Sequence, residues 1–380
     1  MNPSQSEVLV IGAGPAGAAA ATVLARAGVD VVVVDRARFP RDKICGDALS
    51  NGAMDRVDEL GAGEAVRTGP HAIVTRGEAV FPDGHRLGRD YGRPGYIVPR
   101  LALDAALVDA AAAAGAEIRQ GLGVRGLRTE GGTVVGAHGP QFEHRARIVI
   151  AADGHGSLGL APLGRQRPRG KYLGVAATAY MRGITMPHGP GVADHYFERE
   201  LECGYGWIFP AVEGVANMGV YQRSDGYKRG GLALREALDD FIARHPERFA
   251  GAEIVGKVRS WPLPLGPVPG AAAGSGLMLV GDAGGFIDPL SGEGIWQALF
   301  TGMAAGRIAA QALTQGGLAP EHCARYDAEC ERHVGSASRG KARAQEAMRL
   351  IVGSGIYRLP PVRAALGWAY RRRSFEVTKA

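Results

Sequence analysis

The chain contains 380 residues, of which 46% are hydrophobic and 22% charged, so it is long enough to bury a large core and to form two joined lobes. Its net charge of +6 is spread thinly, without a basic patch interleaved with aromatic residues, and nucleic-acid binding is therefore not expected. The four cysteines lack CxxC or metal-ligand spacing, and the chain has neither a signal-peptide pattern nor an apolar run of about 20 residues. We therefore expect a cytoplasmic protein without a bound metal ion.

The first predicted unit, residues 8–35, reads as a strand, a glycine turn, a helix and a second strand that ends in an acid. In its GxGxxG motif, Gly12 permits the tight turn, Gly14 lets the backbone approach a pyrophosphate, and Gly17 lets the helix pack closely on the strand. Asp35 follows Gly17 by 18 residues, near the spacing of an acid that binds a ribose hydroxyl. The pattern predicts a bound dinucleotide; the alternative is a glycine-rich turn that holds no ligand.

The rest of the chain divides into alternating predicted elements. A charged loop and short helix (36–55) precede strands with turns at 82–84 and 93–95, and a helix then covers 100–114. An apolar strand at 147–152 runs into Asp153-Gly154, and a buried strand at 277–280 runs into Gly281-Asp282. Between them, residues 170–265 indicate an antiparallel sheet (175–181, 195–197, 205–209, 215–221) and a helix near 231–244. Further helices are predicted from about 293 to 313, at 320–350 up to Gly353, and at 361–371.

The GxGxxG motif, Asp153-Gly154 and Gly281-Asp282 occur in a fixed order that resembles the FAD-dependent reductases and monooxygenases with the para-hydroxybenzoate hydroxylase-like fold. The resemblance implies that Asp282 binds the ribityl chain of FAD, that Asp153-Gly154 lies near the pyrophosphate and an incoming NAD(P)H, and that Arg100 contacts the cofactor. It implies an α/β fold: a three-layer, Rossmann-like FAD-binding domain (1–70, 97–165, 266–335), an inserted antiparallel-sheet substrate domain (71–96, 166–265) and C-terminal helices (336–380).

Two segments narrow the resemblance. Phe39-Pro-Arg41-Asp-Lys43-Ile-Cys45-Gly46 and the stretch from Gly281 to Ile295 look like the geranylgeranyl reductase family, whose members saturate isoprenoid double bonds. The segment 205–210 partly matches the family pattern PxxYxWxFP, with Glu202 in place of the first proline.

The predicted cofactor contacts come from these motifs. In the loop 289–294, glycines let the backbone approach the flavin ring, and the positive end of the following helix stabilises negative charge on reduced flavin; the alternative is a plain helix cap. The predicted FAD-binding residues are Gly12, Gly14, Pro15, Ala16, Gly17, Asp35, Arg36, Arg41, Cys45, Gly46, Arg100, Asp153, Gly154, Gly281, Asp282, Pro289, Gly292, Gly294 and Ile295.

Candidate catalytic residues are Cys45, Tyr205, Trp207 and Trp296. Tyr205, Trp207 and Phe209 alternate along one strand, so they face one side and either line an apolar substrate channel or fill a domain interface. A thiol beside Lys43 predicts a lowered pKa for Cys45, with a buried, unreactive cysteine as the alternative. His195, Asp288 and Glu293 are possible proton donors, each with a structural alternative.

The resemblance favours an FAD enzyme that uses NAD(P)H to reduce a carbon–carbon double bond in an apolar isoprenoid or related natural product. The GxGxxG spacing recurs at 121–126 and 154–159, but no predicted helix follows either stretch, so we expect the reductant to bind transiently or a separate protein to donate the electrons. One alternative is a monooxygenase that hydroxylates or epoxidises a terpenoid, polyketide or aromatic substrate; another is a binder similar to the prenyl-protein escort proteins, without redox chemistry. Arg371–Arg373 suggest contact with a membrane surface or, alternatively, a solvated tail.

Overall fold

The computed structural model describes residues 4–226 and 234–372. The strands are β1 (Ser4–Ile11), β2 (Val31–Asp35), β3 (Ala48–Leu49), β4 (Ala72–Val80), β5 (Arg86–Ile97), β6 (Glu117–Gln120), β7 (Gly126–Glu130), β8 (Thr133–Gly139), β9 (Phe142–Ala151), β10 (Leu173–Arg182), β11 (Val192–Tyr196), β12 (Tyr205–Pro210), β13 (Val215–Arg223), β14 (Glu253–Pro264), β15 (Ala273–Gly274) and β16 (Leu277–Leu279). The helices are α1 (Pro15–Arg26), α2 (Asn51–Glu59), α3 (Gly63–Thr68), α4 (Arg100–Ala113), α5 (Leu234–Arg244), α6 (Pro246–Phe249), α7 (Ile295–Thr314), α8 (Pro320–Cys330), α9 (Ser336–Ser354) and α10 (Pro360–Arg372).

The first sheet has the order β15-β16-β9-β1-β2-β6, in which β16, β9, β1, β2 and β6 are parallel and β15 is antiparallel to β16. The β7–β8 hairpin extends the sheet from β9. Val8 pairs with Val31 on one side and Ile148 on the other. The apolar runs of β1 and β2 are buried on both faces, as expected for parallel strands covered by helices. α1 packs against α7 and α4. The carboxyl ends of β1, β9 and β16 therefore meet at one edge of this sheet.

The second sheet has the order β14-β10-β13-β12-β11-β4-β5-β3. Its strands pair antiparallel except β4 and β11, which are parallel. β3 falls within the range predicted for the FAD-binding domain but pairs with β5, so this short strand ties the loop after β2 to the second sheet. The fold is thus α/β with C-terminal helices, as the sequence predicts.

Three predicted boundaries were wrong. Residues 93–95 do not form a turn but lie inside β5. The strand continues through them because its register with β4 shifts between Val74 and Arg76. The helix predicted at 320–350 is interrupted by a π-helical turn at Glu331–Gly335, which separates α8 from α9. Gly353 does not end α9, which stops one residue later, before Gly355 in the left-handed conformation. The start of the helix predicted near 231 lies outside the described residues. Along 4–226 and 234–372, every helix is too short or too polar to cross a membrane.

Candidate active site

The glycine turn after β1 combines tight packing with open space. A side chain at Gly12 (φ +98°) would place its Cβ 2.4 Å from the carbonyl oxygen of Ala152, and one at Gly17 would place it 1.8 Å from the carbonyl oxygen of Gly12. At Gly14 the nearest atom, on Arg41, would be 3.8 Å away. Gly12 and Gly17 therefore let the turn close, whereas Gly14 leaves room in front of the turn for a phosphate group.

Two helices begin at this edge of the sheet without a side-chain cap. Gly14 is the N-cap of α1, and Gly294 is the N-cap of α7. Neither glycine has a side chain that could accept a hydrogen bond from the first N–H groups of its helix. Pro15 and Ala16 open α1, and Ile295 opens α7. Free N–H groups and the partial positive charge of a helix N-terminus bind anionic groups. The two helix starts thus supply what a pyrophosphate and a reduced flavin require.

Asp35 braces the glycine turn. Its carboxylate accepts hydrogen bonds from the backbone N–H of Ala13 at 2.8 Å and of Ala37 at 2.7 Å. A carboxylate can accept more than two hydrogen bonds. Asp35 can therefore still accept the predicted hydrogen bond from a ribose hydroxyl. Arg36, the next residue, is exposed to solvent.

Arg41 and Arg100 are held by one buried acid, Asp104, which the sequence reasoning missed. Asp104 accepts two hydrogen bonds from Arg100 at 2.7 Å and one from Arg41 at 2.6 Å. Although burial opposes ionisation of Asp104, the charge of Arg100 keeps the pKa of its carboxyl below the usual range. The spacing of Arg100 and Asp104 by four residues on a predicted helix was the available signal.

The acids at the ends of β9 and β16 differ in their surroundings. Asp153 accepts a hydrogen bond from the Leu158 N–H at 2.9 Å through Oδ2, while its Oδ1 is buried without a partner among the described residues. Burial raises the pKa of Asp153, and Gly154 follows it with open space around its Cα. Asp282 is half-buried, 3.7 Å from the ammonium of Lys43. An unpartnered oxygen at Asp153 fits a ligand hydroxyl or phosphate-bound water.

Gly281 and Gly294 flank Asp282. A Cβ at Gly281 (φ +56°) would lie 3.0 Å from the Cβ of Ala16, and a Cβ at Gly294 would lie 3.5 Å from Oδ1 of Asp282. The glycines therefore let β16 approach α1 and leave the Asp282 carboxylate uncovered.

Two tyrosines of the second sheet hold the loop before α7. Tyr205 donates a hydrogen bond to the carbonyl oxygen of Ser291, and Tyr221 donates one to that of Pro289 at 2.9 Å. Gly292 adopts φ +67°, which permits the turn. Asp288 accepts hydrogen bonds from loop N–H groups and pairs with Lys341, so it acts as a loop cap rather than facing a substrate.

A cavity of about 410 Å³ joins the two sheets. Pro15, Asp282 and Gly294 border it at the cofactor end. On the other side, the cavity is walled by the predicted aromatic strand and its neighbours, namely Val74, Ile97, His195, Tyr205, Trp207, Phe209, Trp261 and Leu263. The predicted cofactor residues that share this cavity with the apolar wall are Pro15, Cys45, Gly46, Arg100, Asp282, Gly292, Gly294 and Ile295. The others, among them Gly12, Gly14, Asp35 and Asp153, do not line it.

Cys45 and Trp296 depart from their predicted surroundings. Burial raises the pKa of the Cys45 thiol, and the opposing charge of Arg100 only partly offsets it, so the predicted lowered pKa was wrong. The Lys43 ammonium instead lies near Asp282. Cys45 lines the cavity, as does Gly46. Trp296 does not: it stacks on Phe300, 5.2 Å between ring centroids, because positions 296 and 300 share the face of α7 opposite to the cavity.

His195 and Glu293 are the other predicted proton donors, and both line the cavity. Burial lowers the pKa of His195, so its ring is neutral, and it packs on Phe209 at 5.1 Å between centroids. Burial raises the pKa of Glu293, which accepts a hydrogen bond from Ser50 at 2.7 Å. Sequence reasoning also missed a polar cluster at the cavity wall: Asp47 and Thr178 line the cavity, and Tyr180 and Asn217 hydrogen-bond to them.

The turn, the two uncapped helix starts and the half-buried Asp282 fit a dinucleotide cofactor such as FAD. The sequence profile of the FAD binding domain family matches residues 5–340. Menaquinone reductase of Mycolicibacterium smegmatis is 34% identical, over 83% of this chain and 78% of that protein. Digeranylgeranylglycerophospholipid reductase of Methanocella arvoryzae is 32% identical, over 87% of this chain and 84% of that protein.

A crystal structure of a geranylgeranyl bacteriochlorophyll reductase-like protein from Thermoplasma acidophilum superposes with a TM-score of 0.83 at 25% identity, covering 93% of this chain and 91% of that one. The chain belongs to the geranylgeranyl reductase family of FAD-dependent oxidoreductases. The predicted family and the predicted FAD are thereby confirmed, whereas NAD(P)H as the reductant stays a prediction.

Proposed function

We propose that this enzyme reduces a carbon–carbon double bond in an apolar isoprenoid chain, free or attached to a quinone or lipid, with NAD(P)H as the source of electrons. When bound, FAD supplies the hydride. The observation that carries the proposal is the single cavity that runs from Asp282 and Gly294 to Trp207 and Phe209, because a hydride donor must lie against the alkene in a water-poor space. The names of the relatives, a menaquinone reductase and a digeranylgeranylglycerophospholipid reductase, support this substrate class.

The chain's own residues have distinct tasks in this proposal. Gly14 and the start of α1 bind the pyrophosphate, and Asp282 binds the ribityl chain. Arg100 and Arg41, fixed by Asp104, keep positive charge at the cofactor end. Trp207 and Phe209 exclude water and orient the isoprenoid chain. Tyr205 positions the loop before α7 rather than donating a proton, because its hydroxyl already donates to Ser291.

The test is turnover by the purified FAD-bound protein without oxygen, with menaquinone or a digeranylgeranyl lipid as substrate and either NADH or NADPH. We expect a product heavier by two hydrogens. Replacing NAD(P)H with dithionite distinguishes a missing electron-donor protein from a wrong substrate, since dithionite reduces flavin directly. An absolute oxygen requirement with an oxygen atom in the product would establish the monooxygenase alternative instead.

We further propose that the C-terminal helices contact an anionic membrane surface that holds the substrate. The sequence from residue 347 to 373 contains six arginines and no acid. In α9, α10 and the turn between them, Leu350, Leu359 and Trp368 are more than half exposed, and Arg371 lines the cavity. Apolar side chains among cations suit the interface of an anionic bilayer. The side chain of Arg372 and all of Arg373 lie outside the described residues.

Flotation with vesicles measures this contact. Binding to vesicles that contain anionic lipid should weaken with added salt and with substitution of Arg371–Arg373 by serine, and Trp368→Ser should weaken it at all salt concentrations. Equal binding to neutral and anionic vesicles would contradict the electrostatic part of the proposal.

A further inference from the structure

Asp47 occupies a fixed and unusual place in the wall of the cavity. It follows the Cys45-Gly46 pair, and its φ of +62° lies in the left-handed region, which few residues other than glycine adopt. Its carbonyl oxygen accepts a hydrogen bond from the Val98 N–H at 2.9 Å. Only 1% of its surface is exposed to solvent. Backbone strain of this kind persists where the surrounding structure holds it, and it concentrates at functional sites.

One carboxyl oxygen of Asp47 is fully engaged with the second sheet. Oδ2 accepts hydrogen bonds from the hydroxyl of Tyr180 and from Nδ2 of Asn217 at 3.0 Å. The orientation of Asn217 is determined, because the indole of Trp207 can only donate and does so to Oδ1 of Asn217 at 3.0 Å. The Nδ2 group of Asn217 must therefore face Asp47.

The other oxygen, Oδ1, has no partner among the described residues. An ionised Asp47 would leave this oxygen unsolvated, whereas a protonated one would carry the proton there. Burial raises the pKa of Asp47 to about 6, against the hydrogen bonds of Tyr180 and Asn217 and the charge of Arg100, and with the charge of Asp42 adding to the rise. The thiol of Cys45 also lies near Asp47, and it stays neutral because burial raises its own pKa.

We propose that Asp47 is the proton donor of the reduction and that Tyr180 connects it to solvent. This inference rests on the proposed function. FAD, once bound and reduced, would supply the hydride to one alkene carbon, and Asp47 would give its carboxyl proton to the other carbon, which takes up the π-electron pair. Asp47 becomes a carboxylate. The hydroxyl of the half-exposed Tyr180 gives its proton to Oδ2 as it takes one from water, so that no tyrosinate forms, and rotation of the carboxyl group returns the proton to the Oδ1 position.

Tyr180 is suited to this exchange. Its hydroxyl has no hydrogen-bond partner other than Asp47 in the parts of the chain that the structure describes. Glu293, the rival acid in the cavity, is bound by Ser50, and the Ser50 hydroxyl also caps α2 by accepting the Ala53 N–H. A capping hydroxyl is fixed by the helix, so it exchanges protons less readily. His195 is buried and neutral, and so it holds no spare proton.

The experiment separates proton donation from electron supply. The FAD-bound enzyme is reduced with dithionite without oxygen and mixed with the isoprenoid substrate, and flavin reoxidation is followed by absorbance across a range of pH. For the wild type, we expect a constant rate below about pH 6 and a fall of about tenfold per pH unit above it. Asp47→Asn should lower the rate by roughly 10²- to 10⁴-fold and remove the break in the profile.

Two further variants identify the network. Tyr180→Phe removes a hydrogen bond that favours the ionised carboxylate, so the break should move to higher pH and the turnover rate should fall. Asp42→Asn is the matched control: it removes a nearby carboxylate of the same loop, exposed and paired with Arg259, and should keep the rate while moving the break slightly to lower pH. Circular dichroism and FAD absorbance show whether each variant is folded and loaded.

A second readout does not depend on turnover. Infrared difference spectra of the substrate-free enzyme should contain a protonated carboxyl band that titrates near pH 6 and is missing in Asp47→Asn. If the wild type reduces the alkene but Asp47→Asn keeps the rate and the break, or if Glu293→Gln removes the break instead, the assignment of Asp47 is wrong and the proposed function survives. If the wild type reduces no alkene even with dithionite, the proposed function is wrong and this inference fails with it.

Discussion

Replacing Asp47 with asparagine should stabilise the protein while it impairs proton donation. The reference pKa of an aspartate is 3.8, and burial raises that of Asp47 to about 6 in the folded protein. An acid whose folded pKa lies above its unfolded pKa makes the folded state most stable at low pH. That advantage is lost as the pH rises from about 4 to about 6, and the full cost at neutral pH is about 3 kcal/mol.

Asparagine cannot ionise, so the Asp47→Asn variant escapes this cost. Its carbonyl oxygen can still accept the hydrogen bonds of Tyr180 and Asn217, but its amide N–H groups replace an oxygen and find no acceptor nearby, which costs about 1 kcal/mol. The expected net gain at about pH 8 is therefore about 2 kcal/mol. At about pH 5 the wild-type carboxyl is mostly protonated, and the gain should shrink by about 1 kcal/mol.

Urea unfolding followed by tryptophan fluorescence, at saturating FAD and at both pH values, measures these differences. Because bound FAD stabilises the folded state according to its affinity even at saturation, the FAD affinity of each variant is measured at both pH values and its contribution is subtracted. Asp42→Asn serves as the control, because its exposed carboxylate should show no comparable gain. A variant Asp47→Asn that is less stable than the wild type at high pH, or whose difference from it does not change with pH, would refute the reasoning.

Three other predictions concern the cofactor end. Gly302→Ala should weaken FAD binding and cost about 1–3 kcal/mol of stability, because its Cβ would lie 2.1 Å from the backbone oxygen of Ala16 and push α7 away from α1. Gly353→Ala is the control: it has open space around it and should be neutral or stabilising in the same unfolding and titration experiments. Asp282→Asn should weaken FAD binding about tenfold or more in fluorescence titrations, and unchanged affinity would contradict its role. Cys45 should react with iodoacetamide at pH 8 more slowly than free cysteine, since burial raises the pKa of its thiol, and an equal rate would contradict this.

The cofactor end of the fold was predictable because its signals are local. The turn at Gly12 and Gly17 requires residues without a Cβ. The continuous apolar runs on either side of it are typical of parallel strands that are buried on both faces. Gly281-Asp282 follows another such run. These constraints act within a few residues, so the sequence shows them directly, and β1, α1 and β2 form where the pattern predicts them.

The polar wall of the cavity was not predictable in this way. Asp47 meets Tyr180 and Asn217, which lie 133 and 170 residues further along the chain, and no periodicity marks the three as neighbours. The pKa of Cys45 was misjudged for a related reason. Lys43 is close in sequence, but its ammonium lies near Asp282, while the surroundings of the thiol are set by residues distant along the chain.

The second sheet walls the cavity and also holds the loops that we propose contact the cofactor. Tyr205 and Tyr221 hold the loop before α7, and Asn217 donates a hydrogen bond to the carbonyl oxygen of Cys45 at 2.9 Å. The side chains that border the apolar space are thus bonded to the backbone next to the flavin site. It follows that Tyr221→Phe, which keeps the apolar wall but removes one of the hydrogen bonds to the loop, should weaken FAD binding as well as substrate binding. A change in substrate affinity alone would mean that the loop holds its position without the sheet.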